Sequence, residues 1–161
     1  MKKFAFGEYG FSYIEIIISL AIMAIIASTA TPFIHTVRQR EKEMELRKDL
    51  REIRNAIDSY KKAVDTGHII KNIGDSGYPK SLDDLVRGVP DIKDASTHKM
   101  YFLRKIPVDP MHPGPIEDAE LSWGKRSYDS NFDDPREGKD VYDVYSLSQE
   151  KGLNGVPYRM W

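Results

Sequence analysis

The sequence predicts an α+β chain in which one long N-terminal helix is followed by a small domain with short strands. An uncharged apolar run fills residues 16–34, and apolar residues at helical spacing continue from residue 46 to residue 64. Branched and aromatic residues then gather at residues 141–147, a composition typical of a β-strand. The mean hydropathy of −0.51 shows that the rest of the chain is polar despite its apolar start.

Composition limits the classes of protein that the chain fits. Its 161 residues carry 24 basic and 25 acidic side chains, and the net charge of −1 gives no bulk attraction to nucleic acid. There is no cysteine, so no disulfide supports the fold. Beyond the apolar run, roughly 125 residues remain, which is enough for one small domain and too few for two.

The most informative segment is residues 10–15, GFSYIE, which leads directly into the apolar run. The run is long enough for a bilayer core, and a carboxylate such as Glu15 is costly in hydrocarbon unless it is paired. The segment is therefore predicted to be the start of a transmembrane helix in which Glu15 has a partner. One alternative is a plain signal anchor, with Lys2 and Lys3 as the positive-inside signal. Another is a cleaved signal peptide, although residues 27–30 offer a poor cleavage site.

The long helix is predicted to run from Phe11 to about Thr66, with a kink or local unwinding at Pro32. Gly67 is the expected C-cap. The apolar stripe of the second half requires a cover from the small domain, and a short coiled coil is the alternative. The stripe consists of Leu46, Leu50, Ile53, Ile57, Tyr60 and Val64.

Short elements follow the long helix. After a turn-rich loop at residues 74–79, Ser81 is predicted to cap a helix over residues 82–86. Residues 99–107 are predicted to form a small helix or strand that packs Tyr101, Leu103 and Ile106 on the core. Their mixture of basic and aromatic residues leaves nucleic-acid stacking as the alternative.

Strands are predicted at residues 127–128 and, more clearly, at residues 141–147. Residues 152–161 form a loop that ends in an aromatic anchor.

Lys2, Lys3, Gly10, Phe11 and Glu15, with the apolar helix that Pro32 interrupts, resemble the N-terminus of type IV prepilins and of type II secretion pseudopilins. The resemblance implies a leader, residues 1–10, that stays in the cytoplasm. A prepilin peptidase would cut between Gly10 and Phe11, and Phe11 would be N-methylated. Glu15 would pair with the terminal amine of a neighbouring subunit in a filament.

Later segments resemble the major pseudopilin of type II secretion systems. Residues 106–110, IPVDP, match its Leu-Pro-x-Asp-Pro run, whose Trp-Gly is displaced here to Trp123 and Gly124, after residues 111–122. Residues 78–85 and 143–147 also follow the wording of that family. The resemblance implies a type IV pilin-like fold, in which the long helix packs on a small antiparallel sheet.

The implied organisation has three parts: the leader at residues 1–10, a transmembrane assembly helix at residues 11–34, and a periplasmic domain at residues 35–161. The chain would cross a bacterial inner membrane once and join a pseudopilus with copies of itself and minor pseudopilins. An ATPase-driven inner-membrane platform would assemble it, and no enzymatic activity is expected. The alternatives are a type IV pilin for adhesion, motility or uptake, and a plain membrane-anchored periplasmic protein.

A calcium ion is the one cofactor that the sequence suggests. The family binds Ca²⁺ in the loop after its late strand, but residues 148–155 hold one carboxylate and a lysine. Asp129, Asn131 and Asp133 show the D-x-N-x-D spacing of a calcium loop, and a solvated acidic loop is the alternative. The four histidines, His35, His68, His98 and His112, lack ligand spacing, and no catalytic set is apparent.

Overall fold

The computed structural model describes residues 11–96 and 98–161, apart from the side chains of residues 29–33. The predicted leader at residues 1–10, with Gly10 at its end, lies outside the described residues. The chain divides into two compact units, residues 1–39 and residues 40–161. Helix α1, Tyr13–Asp65, contributes to both, and the other elements belong to the second unit.

In the first unit, α1 begins at Tyr13, two residues later than predicted. The carbonyl of Ser12 accepts hydrogen bonds from the N–H groups of Glu15 (3.0 Å) and Ile16 (3.2 Å). The helix continues through Pro32 without interruption. The predicted kink stays a prediction. Among the described residues, no helix has a stretch that is both apolar enough and long enough to cross a membrane. Residues 29–33, which belong to the predicted span, have side chains outside that description.

In the second unit, one face of α1 forms the floor of the hydrophobic core. Leu46, Leu50, Ile53 and Ile57 are buried, as the stripe predicts. Other segments of the same unit cover them, so the coiled-coil alternative is not needed. The covering residues are Leu82, Leu85, Leu103, Trp123, Val141, Val144 and Tyr158.

The C-terminus of α1 is closed by the predicted glycine. Gly67 has φ +75°, which an L side chain adopts only with strain. Its N–H donates to the carbonyl of Val64, and the N–H of His68 donates to the carbonyl of Ala63, both at 2.9 Å. These two bonds make a Schellman motif, which satisfies carbonyls that the helix end leaves open.

Helix α2 spans Asp83–Arg87, one residue later than predicted, and Leu82 occupies the cap position. Ser81 still serves the helix end, because its hydroxyl accepts from the N–H of Asp84 at 3.3 Å. The carboxylate of Asp84 accepts in return from the N–H of Ser81 at 3.2 Å. This reciprocal pair is a capping box, with aspartate in place of the usual glutamate.

The strands form two small antiparallel sheets. β1 (Val89–Pro90) pairs with β2 (Lys99–Met100). β3 (Trp123–Arg126) pairs with β4 (Asp143–Ser146), and Trp123 lies opposite Ser146. The coarse prediction of a long helix with a small antiparallel sheet is confirmed, although the sheet is divided in two.

The strand boundaries differ from the prediction. The strand predicted at residues 127–128 is wrong, because those backbone groups are used elsewhere. The N–H of Ser127 donates to the carbonyl of Arg136 at 2.9 Å, and the N–H of Tyr128 donates to the carboxylate of Asp140 at 2.9 Å. The strand predicted at residues 141–147 is confirmed only over its middle, Asp143–Ser146.

The segment at residues 99–107 enters the core differently from the prediction. Leu103 is buried, and Ile106 packs against the core as expected. Tyr101 is 66 % exposed, so its predicted core position is wrong. Phe102 packs inward instead, with its ring centroid 5.4 Å from that of Tyr60.

Candidate functional site

The first half of α1 exposes its large apolar side chains on every side. Those between residues 13 and 26 are between 48 and 80 % exposed. They are Tyr13, Ile14, Ile16, Ile17, Ile18, Leu20, Ile22, Met23, Ile25 and Ile26. A helix that is apolar all round requires a cover of lipid or protein. This segment is therefore the strongest candidate for a binding surface.

Glu15 lies in the first turn of this apolar segment. Its side chain is exposed, and it has no ion pair within residues 11–96 and 98–161. The open N–H groups of a helix N-terminus carry partial positive charge, so a carboxylate is favoured at this end. Phe11 precedes the helix and is exposed as well. The structure thus places both predicted assembly residues at the same end of α1, with their side chains accessible.

The C-terminal segment, residues 150–161, is held on α1 by a buried carboxylate. Glu43 accepts hydrogen bonds from the N–H of Leu153 at 2.7 Å and from the hydroxyl of Tyr158 at 3.0 Å. Tyr158 in turn packs edge-on against Trp161, with ring centroids 5.0 Å apart. The predicted role of the last aromatic residue as an anchor is consistent with this packing.

Arg54 makes a second attachment of the same segment. Its guanidinium donates to the carboxylate of Asp143 at 2.8 Å and to the carbonyl of Val144 at 3.0 Å. It also donates to the carbonyl of Trp161 at 2.8 Å. One side chain therefore joins α1, β4 and the C-terminal segment.

The residues that resemble the major pseudopilin come together in space. The buried carboxylate of Asp109 accepts from the hydroxyl of Ser146 at 2.5 Å and from the N–H of Met111 at 2.8 Å. The indole N–H of Trp123 donates to the carbonyl of Pro107 at 2.8 Å. The loop at residues 106–110 is thus attached to both β3 and β4.

Besides Glu43 and Asp109, Asp49 on α1 is a buried carboxylate. Burial raises the pKa of Asp49, and the charge of Glu45 raises that pKa further. A buried carboxylate costs stability when it is ionised without compensation. The sequence did not identify this position, because an acidic residue on a charged helix gives no sign that it faces inward.

The structure does not join the predicted calcium ligands. Asp129, Asn131 and Asp133 are all exposed, and no hydrogen bond links their side chains within the described residues. No three His, Cys, Asp or Glu residues in that part of the chain are grouped so that they could hold a metal ion. The calcium site stays a prediction. It is Asp140, which is buried, that holds this loop, by accepting from the hydroxyl of Ser127 at 3.0 Å.

The loop at residues 148–155, where the family binds calcium, is closed by its own hydrogen bonds. The N–H of Gly152 donates to the carbonyl of Val156 at 2.9 Å, and the side chain of Asn154 accepts from the N–H of Val156 at 3.0 Å.

Two of the histidines lie beside aspartates. His98 Nδ1 lies 2.7 Å from Asp94 and 2.9 Å from the hydroxyl of Ser96. A serine–histidine–acid relay uses opposite ring nitrogens, so this arrangement does not provide one. His68 Nδ1 lies 3.0 Å from Asp91. The N–H of Lys93, and next His68, hold the pKa of Asp91 below its ordinary value.

Comparison of the chain with family models, with curated proteins and with solved structures finds no match.

Proposed function

We propose that the chain is a structural subunit of a pseudopilus, the filament that drives type II protein secretion. The observation that carries the proposal is the first half of α1, where apolar side chains are exposed on every side and Glu15 occupies the first turn. Burying such side chains contributes about 1.5–3 kcal/mol each. Lipid covers them before assembly, and neighbouring copies cover them in the filament.

Maturation follows from the sequence around this end. A prepilin peptidase removes residues 1–10, and Phe11 becomes the N-methylated terminus. The new amine adds positive charge to the helix N-terminus. Glu15 of one copy pairs with the amine of the next, which offsets the cost of placing a carboxylate in apolar surroundings. The pair also sets the axial offset between subunits.

The proposed location is the bacterial inner membrane, crossed once, with the N-terminus in the cytoplasm and residues 35–161 in the periplasm. The partners are copies of the same chain, minor pseudopilins, the prepilin peptidase, and the inner-membrane platform with its ATPase. The second unit faces outward in the filament and carries out no bond chemistry.

Support for the pseudopilin branch comes from residues 106–110 and 143–147, whose wording resembles that of the major pseudopilin. The hydrogen bond between Asp109 and Ser146 joins the two segments. It gives a structural reason why both residues occur at these positions. A type IV pilin is the second candidate, since the same exposed half of α1 serves any filament of this kind.

The test is the Glu15→Ala variant of the full chain, expressed with its assembly machinery, with Glu41→Ala as the matched control on the same helix. Sedimentable filaments and secretion of the exported proteins are both measured. Loss of both in Glu15→Ala, with neither lost in Glu41→Ala, supports the proposal. Absence of filaments and unchanged secretion in every variant, the unsubstituted chain included, would make the chain a plain anchored protein. Filaments that Glu15→Ala leaves unchanged would overturn the pairing role of Glu15. Surface filaments in cells without the outer-membrane secretion pore favour the type IV pilin.

A further inference from the structure

A groove of about 360 Å³ lies between α1 and the C-terminal segment, within the second unit. That volume is at the small end of the range for ligand pockets. Its lining combines apolar side chains with the guanidinium groups of one helix face. The lining residues are Arg47, Leu50, Arg51, Arg54, Asn154, Val156, Met160 and Trp161. We call this surface the arginine groove.

The three arginines differ in how they are used. Arg54 is bonded to Asp143, and Arg47 lies over the ring of Trp161, 4.3 Å from its centroid. Arg51 is exposed and has no ion pair within the part of the chain that the structure describes. Like charges one turn apart, as at Arg47 and Arg51, destabilise a helix. An acidic partner would offset that repulsion.

The chain itself carries a segment of complementary chemistry, the loop at residues 129–134, DSNFDD, which we call the acidic loop. Phe132, in its middle, is 61 % exposed, although Arg126 lies 5.9 Å from its ring centroid. Asp129 and Asp133 are exposed and have no ion pair among the described residues, whereas Asp134 is bonded to Arg136.

We propose that the arginine groove receives the acidic loop of a second copy of this chain. Phe132 of the incoming copy lies on the apolar floor at Val156 and Met160, and Asp133 pairs with Arg51. Interfaces commonly have an aromatic residue at their centre and charged or polar residues at their rim. The inference rests on the proposed function, because it makes this contact one of those between neighbouring subunits.

The two surfaces also favour an open chain of copies over a closed dimer. The arginine groove and the acidic loop share no residue, so the loop of one copy can fill the groove of the next in a heterologous contact. A copy whose groove is filled still presents its own loop to the next copy. Heterologous contacts that do not close produce helical filaments, which is the form of assembly proposed above.

The first test uses cysteine cross-linking, because the chain has no cysteine of its own. Full-length Asn131→Cys and full-length Met160→Cys are co-expressed, and intact cells are oxidised before extraction. A disulfide-linked dimer of the two variants is expected. Asn131→Cys paired with Ile73→Cys is the matched control, since Ile73 is exposed and lies outside the arginine groove. That pair is expected to stay unlinked.

The second test reverses charges. Arg51→Glu is expected to lower the cross-link yield and the sedimentable fraction roughly three- to tenfold, and Asp133→Arg in the same chain to restore both. Lys48→Glu is the control on the helix side, and Glu117→Lys is the control on the loop side. Both control residues are exposed and lie outside the two surfaces. Neither control is expected to change assembly.

The outcomes separate the docking contact from the proposed function. Cross-linking between positions 131 and 160, with rescue by the double reversal, supports the contact. Filaments that form without this cross-link, and that tolerate Arg51→Glu, overturn the contact and leave the pseudopilus standing. Cross-linked dimers without any filament keep the contact and overturn the pseudopilus. Absence of both filament and cross-link overturns both.

Discussion

The two halves of α1 belong to one continuous helix, but their apolar side chains differ in burial. Between residues 13 and 26, the large apolar side chains are exposed all round the helix. Between residues 46 and 64, the apolar side chains form one stripe, and the stripe is buried by the rest of the second unit. The second half has its hydrophobic partners within its own unit, whereas the large apolar side chains of the first half stay exposed.

This difference shows how the period of the apolar residues determines what a helix requires. A one-sided stripe is satisfied by one covering layer, and the remaining faces carry charge. A helix without a polar face is stable only in lipid or among other apolar helices. The first half of α1 is therefore the candidate functional surface, and the second half supports the core of the second unit.

The largest expected effect is on the free energy of unfolding, when an isoleucine in each half of α1 is replaced by alanine. Ile53→Ala removes a fully buried side chain and is expected to lower the free energy of unfolding by about 2–5 kcal/mol. Ile22→Ala, at an exposed position of the first half, is expected to leave the unfolding of the second unit unchanged and to weaken assembly. Chemical denaturation in detergent and sedimentation of filaments measure the two effects. Equal destabilisation by both variants would contradict the distinction.

A smaller effect is expected at the attachment of the C-terminal segment. Glu43→Ala leaves the N–H of Leu153 and the hydroxyl of Tyr158 without their acceptor. The expected loss is about 2–3 kcal/mol, since hydrogen bonds to charged groups exceed neutral ones. Glu43→Gln keeps an acceptor oxygen and is expected to lose less.

Glu41→Ala, at an exposed position of the same helix, is the matched control for Glu43→Ala. Thermal unfolding of the three variants measures the order. A loss in Glu41→Ala as large as that in Glu43→Ala would show that the hydrogen bonds of Glu43 do not support the attachment.

The smallest effect concerns Asp49 and has the opposite sign. Burial, followed by the charge of Glu45, raises the pKa of Asp49 above 3.8. The folded state then holds the proton more tightly than the unfolded state, so this group's contribution to stability falls as pH rises through the raised pKa. Asp49→Asn is expected to stabilise the second unit at pH 7 by no more than about 1 kcal/mol, and the gain is expected to vanish below pH 3.8.

The control is Asp58→Asn at an exposed position of the same helix. Urea denaturation at several pH values measures the difference. A gain in Asp49→Asn that is independent of pH would mean that its cause is packing and not ionisation.

The parts of the fold that sequence predicted are those that local spacing determines. The stripe of α1 follows from steps of three and four residues, and the cap at Gly67 follows from the left-handed conformation that glycine permits. The prediction of a strand at residues 127–128 was wrong because a residue distant in sequence binds this backbone. The carboxylate of Asp140 accepts a hydrogen bond from the N–H of Tyr128. The residues around position 128 give no indication of that bond.

The candidate site divides in the same way. Glu15 stands out because a carboxylate in an apolar run is costly wherever it lies. Glu43 and Asp49 resemble the other acidic residues of a charged helix, and only the fold distinguishes them. Glu43 meets Tyr158 across 115 positions of sequence, and Asp109 meets Ser146 across 37.

The most direct measurement is the intact mass and N-terminal sequence of the membrane-extracted protein, produced with and without a prepilin peptidase. A chain that starts at Phe11 and carries one extra methyl group, seen only with the peptidase, is the predicted result. An uncut chain that starts at Met1, or a cut near Ala30, in the presence of the peptidase would contradict the proposed maturation and with it the filament.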